Sequence, residues 1–339
     1  MMKTILIDPF PRKMDLIFSK EKLRLLKKNF NLVSVPNKNK EKFYQKNISN
    51  ADFIIGQPSL PLSLLEKAKN LKAIFNVESN FMDNMDYDYC FRNNIHVLST
   101  APVFAQTVAE IALGFALSLK RNIHGAHLDF ISGKEQYGLE SNVGCGLLRN
   151  NKIGLIGYGD LAKSLRPLLL PFTDDFYVYD PWLPEKLMIE NKCKPASLSK
   201  IFSTCDVIFV LASVTTKNQS MIDKSLLSKM KKNSCLLIMS RASVVNFKDL
   251  IEIANTGRVQ VATDVFPEEP VKKNDAIRNT KNILFSAHRA GALNEVFFEM
   301  GEIVYGDLEL INKNLPPRLC RKAEKETVRH LRSKPVELN

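Results

Sequence analysis

The order of apolar and polar positions divides the chain into alternating strand-like and helix-like pieces. From the N-terminus, ILID reads as a buried strand and Glu21–Lys28 as a helix. NLVSV and ADFIIG follow as strands, then a helix over Leu62–Lys69 and a strand in KAIFNV. Short unbroken apolar runs of this kind suit parallel strands covered on both faces, which do not alternate. Residues 103–121, VFAQTVAEIALGFALSLKR, predict a long apolar helix connecting two domains. Beyond it, CDVIFVLAS, SCLLIMS, VQVATDVF and NILFSAH are each apolar runs ending in small or polar residues. No simple repeat is present. The pattern predicts an α/β fold with parallel sheets.

Where such strands end matters, because ligands of open parallel sheets bind outside the strands' carboxyl ends. Residues 152–182 read KIGLIGYGDLAKSLRPLLLPFTDDFYVYDPW. Ile153–Ile156 forms a strand, Leu161–Leu170 is apolar at helical spacing, and Val178–Tyr179 closes a second strand at Asp180. This is one βαβ unit of about 30 residues. Gly157 permits the tight turn. Gly159 lets the backbone approach a pyrophosphate held by amides at the helix N-terminus. Asp160 and Leu161 open the helix, and the charge of Asp160 must point away from the pyrophosphate. Ala162 stands where a small residue lets helix and strand pack closely. Asp180, eighteen residues on (180 − 162), is placed to accept hydrogen bonds from an adenosine ribose and to repel a 2′-phosphate, favouring NAD over NADP. The glycines alone would fit any strand that turns into a helix; the flanking strands and the terminal acid carry the reading.

The residues ending the later runs are Ser213, Arg241, Asp264 and His288. Arg241, Glu269 and His288 together have the chemistry of a hydride-transfer site. A guanidinium can hold a 2-hydroxy or 2-oxo carboxylate in bidentate fashion. An imidazole can take the hydroxyl proton and return it in reverse, and a carboxylate behind it fixes the tautomer. Taken singly, a strand-end arginine is usually a surface residue and a glutamate beside proline a loop acid.

In this order behind a nucleotide motif, the chain resembles the D-isomer-specific 2-hydroxyacid dehydrogenase family, which includes glyoxylate/hydroxypyruvate reductases and D-3-phosphoglycerate dehydrogenases. The motifs are NMDYDYCFRNNIHVLSTAPVFAQTVAE, SRASVVN with Arg241, TDVFPEEP with Asp264 and Glu269, and FSAHRAGA with His288. The resemblance implies two Rossmann/flavodoxin-like parallel-sheet domains. A substrate domain, 1–102 completed by 292–339, would receive an inserted coenzyme domain, 103–291, with the active site in the cleft. It implies a homodimer joined through the coenzyme domain, for which the helix 103–121 would suit. It implies NAD, bound by Thr107, Gly157, Gly159, Asp160, Leu161, Asp180, Ser213, Ser240, Asp264 and Gly291, with Asp264 at the nicotinamide amide. The substrate, a small 2-hydroxy or 2-oxo acid, would meet Asn80, Phe81, Arg241 and His288.

Several positions depart from the family's pattern. Ile238 replaces an asparagine, Ala242 a glycine and Ala287 a proline, and the substrate loop reads VESNFMDN where glycines are common. These changes bear on specificity more than on chemistry. Arg289 either adds a second cation for a diacidic substrate or points away and anchors a loop. An alternative activity follows from the same resemblance: C-terminal-binding corepressors use this fold as NAD-responsive interaction proteins.

Composition adds limits. A chain of 339 residues predicts two domains, and 45% hydrophobic with 25% charged residues describes an ordinary globular protein. No apolar run is expected to reach the roughly 18–20 residues of a membrane helix. The start, MMKTILIDPF, lacks the features of a secretory signal. Six cysteines without a CxxC pair read as reduced thiols, so the expected location is cytoplasmic. The net charge of +12 is spread in lysines mixed with asparagines, so neither nucleic acid nor membrane is an expected partner. The basic segment RLCRKAEKETVRHLRSKPVELN reads as a surface extension or dimer arm. His124 and His127 could face one metal, but without an acidic or cysteine partner they read as surface or interface residues, and no metal is expected.

Overall fold

A computed structural model of the protein describes residues 2–78 and 81–330. The chain divides into two compact units, Met1–Phe104 with Ala292–Asn339, and Ala105–Gly291.

The first unit is built on β1 (Lys3–Asp8), β2 (Phe30–Ser34), β3 (Phe53–Gly56), β4 (Ala73–Asn76) and β5 (His96–Ser99), all parallel. Residues 53–56 and 73–76 are buried throughout, as their unbroken apolar sequences require. Several helices of this unit escaped the sequence reading, among them Lys40–Asn47 and Tyr87–Arg92. Lys40–Asn47 is mostly polar, with only Tyr44 buried, and Tyr87–Arg92 is short, with only Cys90 buried. The helix over 62–69 proves to be a single turn, Leu62–Leu65. From the far end of the chain, the helix Asn294–Asn312 puts Val296, Met300, Val304 and Leu308 into this unit's core. A two-residue strand, Arg321–Lys322, pairs antiparallel with β5. Asp307, fully buried in that helix, accepts hydrogen bonds from the N–H groups of Arg318, Leu319 and Cys320 and so ties the return segment down.

The second unit holds a seven-stranded, wholly parallel sheet. In chain order its strands are β6 (Ile153–Ile156), β7 (Phe176–Tyr179), β8 (Lys194–Pro195), β9 (Val207–Val210), β10 (Cys235–Ile238), β11 (Gln260–Thr263) and β12 (Ile283–Phe285). Their spatial order is β12-β11-β10-β9-β6-β7-β8, so the direction of winding reverses at β6. Separate hydrophobic cores cover the two faces. Leu155, Phe176, Phe209 and Leu237 belong to one, and Ile156, Ile208, Leu236 and Val261 to the other. Each fully buried side chain of this size contributes about 1.5–3 kcal/mol.

The helix Ala105–Arg121 places Val108, Ala109, Ala112, Ala116 and Leu119 against the first of these cores. One expectation needs correcting here. The segment Ala101–Arg121 is long and apolar enough to cross a membrane by length and composition. Its polar residues are few because small and apolar side chains on successive turns pack against the helix Asp160–Leu169 and the sheet.

Candidate active site

The glycine turn follows β6, at the point where the sheet reverses. Gly157 has φ of 88°, a conformation that suits glycine, and a Cβ there would lie 2.7 Å from the backbone of Ala212. The turn therefore presses against the loop after β9. Gly159 caps the helix Asp160–Leu169, and a Cβ on it would meet nothing within 4 Å. That open face is the room a dinucleotide's pyrophosphate needs at a helix N-terminus. Ala162 is fully buried in the seam between helix and sheet. Leu161 packs its side chain against the same core, and Asp160 is the first helical residue.

Asp180 follows β7 directly. One carboxylate oxygen accepts the N–H of Tyr158 at 2.8 Å, and the other accepts those of Trp182 at 2.9 Å and Leu183 at 3.3 Å. The acid thus joins the glycine turn to the end of β7. A carboxylate offers about four acceptor positions, so ribose hydroxyls can still be taken. These features fit NAD.

Ser213 and Ser240 lie past the ends of neighbouring strands. Ser213 is exposed in the loop after β9. Ser240, after β10, donates its hydroxyl to the carbonyl of Ala212 at 2.8 Å and so braces two loops. Thr107 sits half-buried in the first turn of Ala105–Arg121, and Gly291 is the last residue of the unit. In the first unit, Phe81 buries its side chain in the core that also holds Leu60 and Ile74. Asn80 lies outside the described residues.

Arg241, Glu269 and His288 come together. Nδ1 of His288 donates to Oε2 of Glu269 at 2.5 Å, and the other carboxylate oxygen accepts the N–H of Phe266 at 2.8 Å. Nε2 is left as the ring atom available to a reactant. Both side chains are about 30% exposed: 31% for His288 and 27% for Glu269. Burial pushes the Glu269 carboxyl up, but the His288 and Phe266 hydrogen bonds, with the charges of His288 and Arg241, hold it below the usual range. Arg241 donates from Nη1 to the carbonyl of Ser240 at 2.7 Å. Burial lowers its guanidinium's pKa, partly offset by the charge of Glu269.

Two supports of this cluster were not legible as supports in the sequence. His288 has φ of 47°, a left-handed conformation that strains a residue with a Cβ by about 1–3 kcal/mol. Asp264 is the brace that holds it. Its carbonyl accepts the N–H of His288 at 2.7 Å, and its carboxylate accepts those of Arg289 at 3.1 Å and Ala290 at 3.0 Å. The carboxylate is almost wholly buried in doing so. The exposed side chain of Arg289 therefore leaves from a fixed backbone. The second support is the Phe266 N–H on Glu269, reinforced by stacking of the Phe266 and Phe285 rings. A backbone donor carries no mark in a sequence, and the reach of Asp264 spans 26 residues.

Comparison with known proteins gives a consistent result. Residues 113–290 match the family model described as D-isomer specific 2-hydroxyacid dehydrogenase, NAD binding domain. The hydroxypyruvate reductase of Thermotoga maritima is 28% identical over 256 residues, covering 72% of this chain and 80% of that protein. The D-3-phosphoglycerate dehydrogenase of Haemophilus influenzae is 27% identical over 254 residues, 73% of this chain and 60% of that one. Among solved structures, a phosphoglycerate oxidoreductase from Rhizobium etli is 40% identical, with a TM-score of 0.87 over 96% of this chain and 99% of that chain.

Proposed function

The chain belongs to the D-isomer-specific 2-hydroxyacid dehydrogenase family, and on that premise we propose that it interconverts a D-2-hydroxy acid and its 2-oxo acid. The observation that carries the proposal is the coupled pair His288–Glu269 with Arg241 beside it at the strand ends of an NAD-binding sheet. Bound NAD supplies the hydride acceptor. In oxidation, neutral His288 accepts the substrate's hydroxyl proton at Nε2 as a hydride leaves the carbon that bears that hydroxyl. Glu269, ionised and hydrogen-bonded at Nδ1, stabilises the imidazolium that results. In reduction the same Nε2–H returns its proton to the carbonyl oxygen. Arg241 holds the carboxylate and fixes which face of the carbon is presented. The first unit serves as the substrate domain and the second as the coenzyme domain.

We also assign a homodimer, with a change from the sequence expectation. The helix Ala105–Arg121 packs its small apolar residues into its own unit. The segment after it carries Leu128, Phe130, Ile131, Tyr137, Leu139 and Val143 at 63–87% exposure. So much exposed apolar surface within one short stretch favours burial against a second copy. Six free thiols fit a reducing compartment, and a cytoplasmic location is proposed.

The test is a screen of 2-oxo acids, reading loss of NADH absorbance, with D- and L-2-hydroxy acids compared in reverse. Turnover confined to the D series supports the assignment. NADH binding without turnover of any acid would overturn it in favour of an interaction protein. The relatives named above act on hydroxypyruvate and on phosphoglycerate, so the acids tested should include a phosphorylated one.

A further inference from the structure

The loops after β7 and β9 flank the glycine turn on its two sides, because those strands are the two neighbours of β6. Each loop is braced by its own side chains. Asp180 accepts the N–H of Trp182 at 2.9 Å, which sets the indole two residues beyond the ribose-binding carboxylate. Across the turn, Asn218 accepts the N–H of Thr215 at 2.7 Å and donates to the carbonyl of Ser213 at 2.8 Å, and Thr215 accepts the N–H of Lys217 at 3.2 Å. These two braced loops meet. The Lys217 ammonium sits over the Trp182 ring, 5.5 Å from its centroid, within range of a cation–π contact. The indole is 44% exposed and Lys217 is exposed.

A ribose held by Asp180 at the edge of β7 would carry its base outward past the carboxylate, toward the half-exposed indole of Trp182. We propose that the face of Trp182 is the stacking surface for the adenine of NAD, and that Lys217 competes with adenine for that face. Base–aromatic stacking favours the coenzyme, and the cation–π contact opposes it by the smaller amount. The coenzyme's adenosine end must displace the ammonium to bind, so Lys217 sets affinity without touching the reacting atoms.

Trp182 is the only tryptophan in the chain, so its emission reports this site alone. Adenosine, which has no phosphate to attract a lysine, is the probe, titrated by calorimetry and by indole fluorescence. Lys217→Met, which keeps an unbranched side chain and removes the charge, should bind adenosine about 2- to 5-fold more tightly, the worth of an exposed cation–π contact. Trp182→Leu should weaken adenosine at least about 5-fold, with Trp182→Phe recovering most of the loss. In the unaltered protein, adenosine should quench the indole saturably. A Lys217→Met protein that binds adenosine no more tightly, or adenosine binding that leaves the indole emission unchanged, would overturn the proposal while leaving the coenzyme assignment standing. If ADP-ribose fails to bind the unaltered protein, the coenzyme site falls and the proposal with it.

Discussion

Replacing Glu269 by glutamine is the most informative single change in the proposed reaction centre. The carboxylate accepts at both oxygens, from the Phe266 N–H at 2.8 Å and from His288 Nδ1 at 2.5 Å. Glutamine has the same shape but offers one acceptor and one donor, so it cannot satisfy both neighbours. If its oxygen faces Phe266, its amide points at Nδ1 and selects the tautomer with hydrogen on Nε2, which cannot accept a substrate proton. If its oxygen faces His288, two N–H groups confront each other at Phe266. Either way a charge-assisted hydrogen bond worth about 1.5–3 kcal/mol is lost, and the partial exposure of the pair places the effect toward the lower end. With the negative charge beside the imidazole gone, the alkaline limb of 2-oxo acid reduction should move toward acid. The assay is initial-rate NADH oxidation across pH, with kcat and KM separated. A second readout is thermal. Because the folded carboxyl of Glu269 is held below its ordinary value, it contributes stability above the usual carboxylate range that is lost as pH falls through the folded value. The gap in Tm between the unaltered protein and Glu269→Gln should therefore close at acid pH. An unshifted rate profile would refute the coupling on which the proposed mechanism rests.

Other expectations follow from the same geometry. His288→Ala should cost at least about 10²-fold in either direction, with NADH affinity by fluorescence titration little changed. Near-normal turnover would remove His288 from the reaction. Asp180→Ala should weaken NADH and narrow its preference over NADPH, read as the ratio of the two kcat/KM values. Asp264→Asn keeps one acceptor of two, so it should loosen the turn at His288 and lower kcat more than it raises KM for the 2-oxo acid. Leu139→Asp with Val143→Asp should yield monomers by light scattering, and an unaltered mass would place the dimer contact elsewhere.

Much of this was readable because buried parallel strands leave unbroken apolar runs whose ends point at the ligand side. β6, β7 and β9 to β12 all stand out in that way, and the glycine turn with Asp180 is a local motif whose spacing is set by one βαβ unit. The helix Lys40–Asn47 was not readable, since KEKFYQKN buries one residue and shows no apolar stripe. β5, His96–Ser99, is short and sits inside a segment whose interest lay in its motif. At the site, side chains with chemistry of their own could be named from the sequence, but their supports could not. The strain at His288 depends on a backbone angle. The brace from Asp264 stands beside the coenzyme contact that the resemblance implies, and nothing in TDVFPEEP signals it.

The first unit draws its core from both ends of the chain, and this orders events during synthesis. Ile5, Phe18, Phe53 and Phe75 emerge first, yet Val296, Met300, Val304 and Leu308, which complete their packing, are translated only after all of residues 105–291. The second unit is continuous in sequence and can fold as soon as it clears the ribosome, whereas the first must wait with part of its apolar surface uncovered. Folding of the insert brings its two ends into fixed positions and replaces a flexible loop of nearly two hundred residues with a rigid one. The entropy of closing that loop is thereby met within the insert rather than by the waiting unit. A chain stopped near residue 291 would keep the whole coenzyme sheet and still expose the hydrophobic side of β1, β3 and β4, making it a candidate for chaperone capture rather than a smaller working protein.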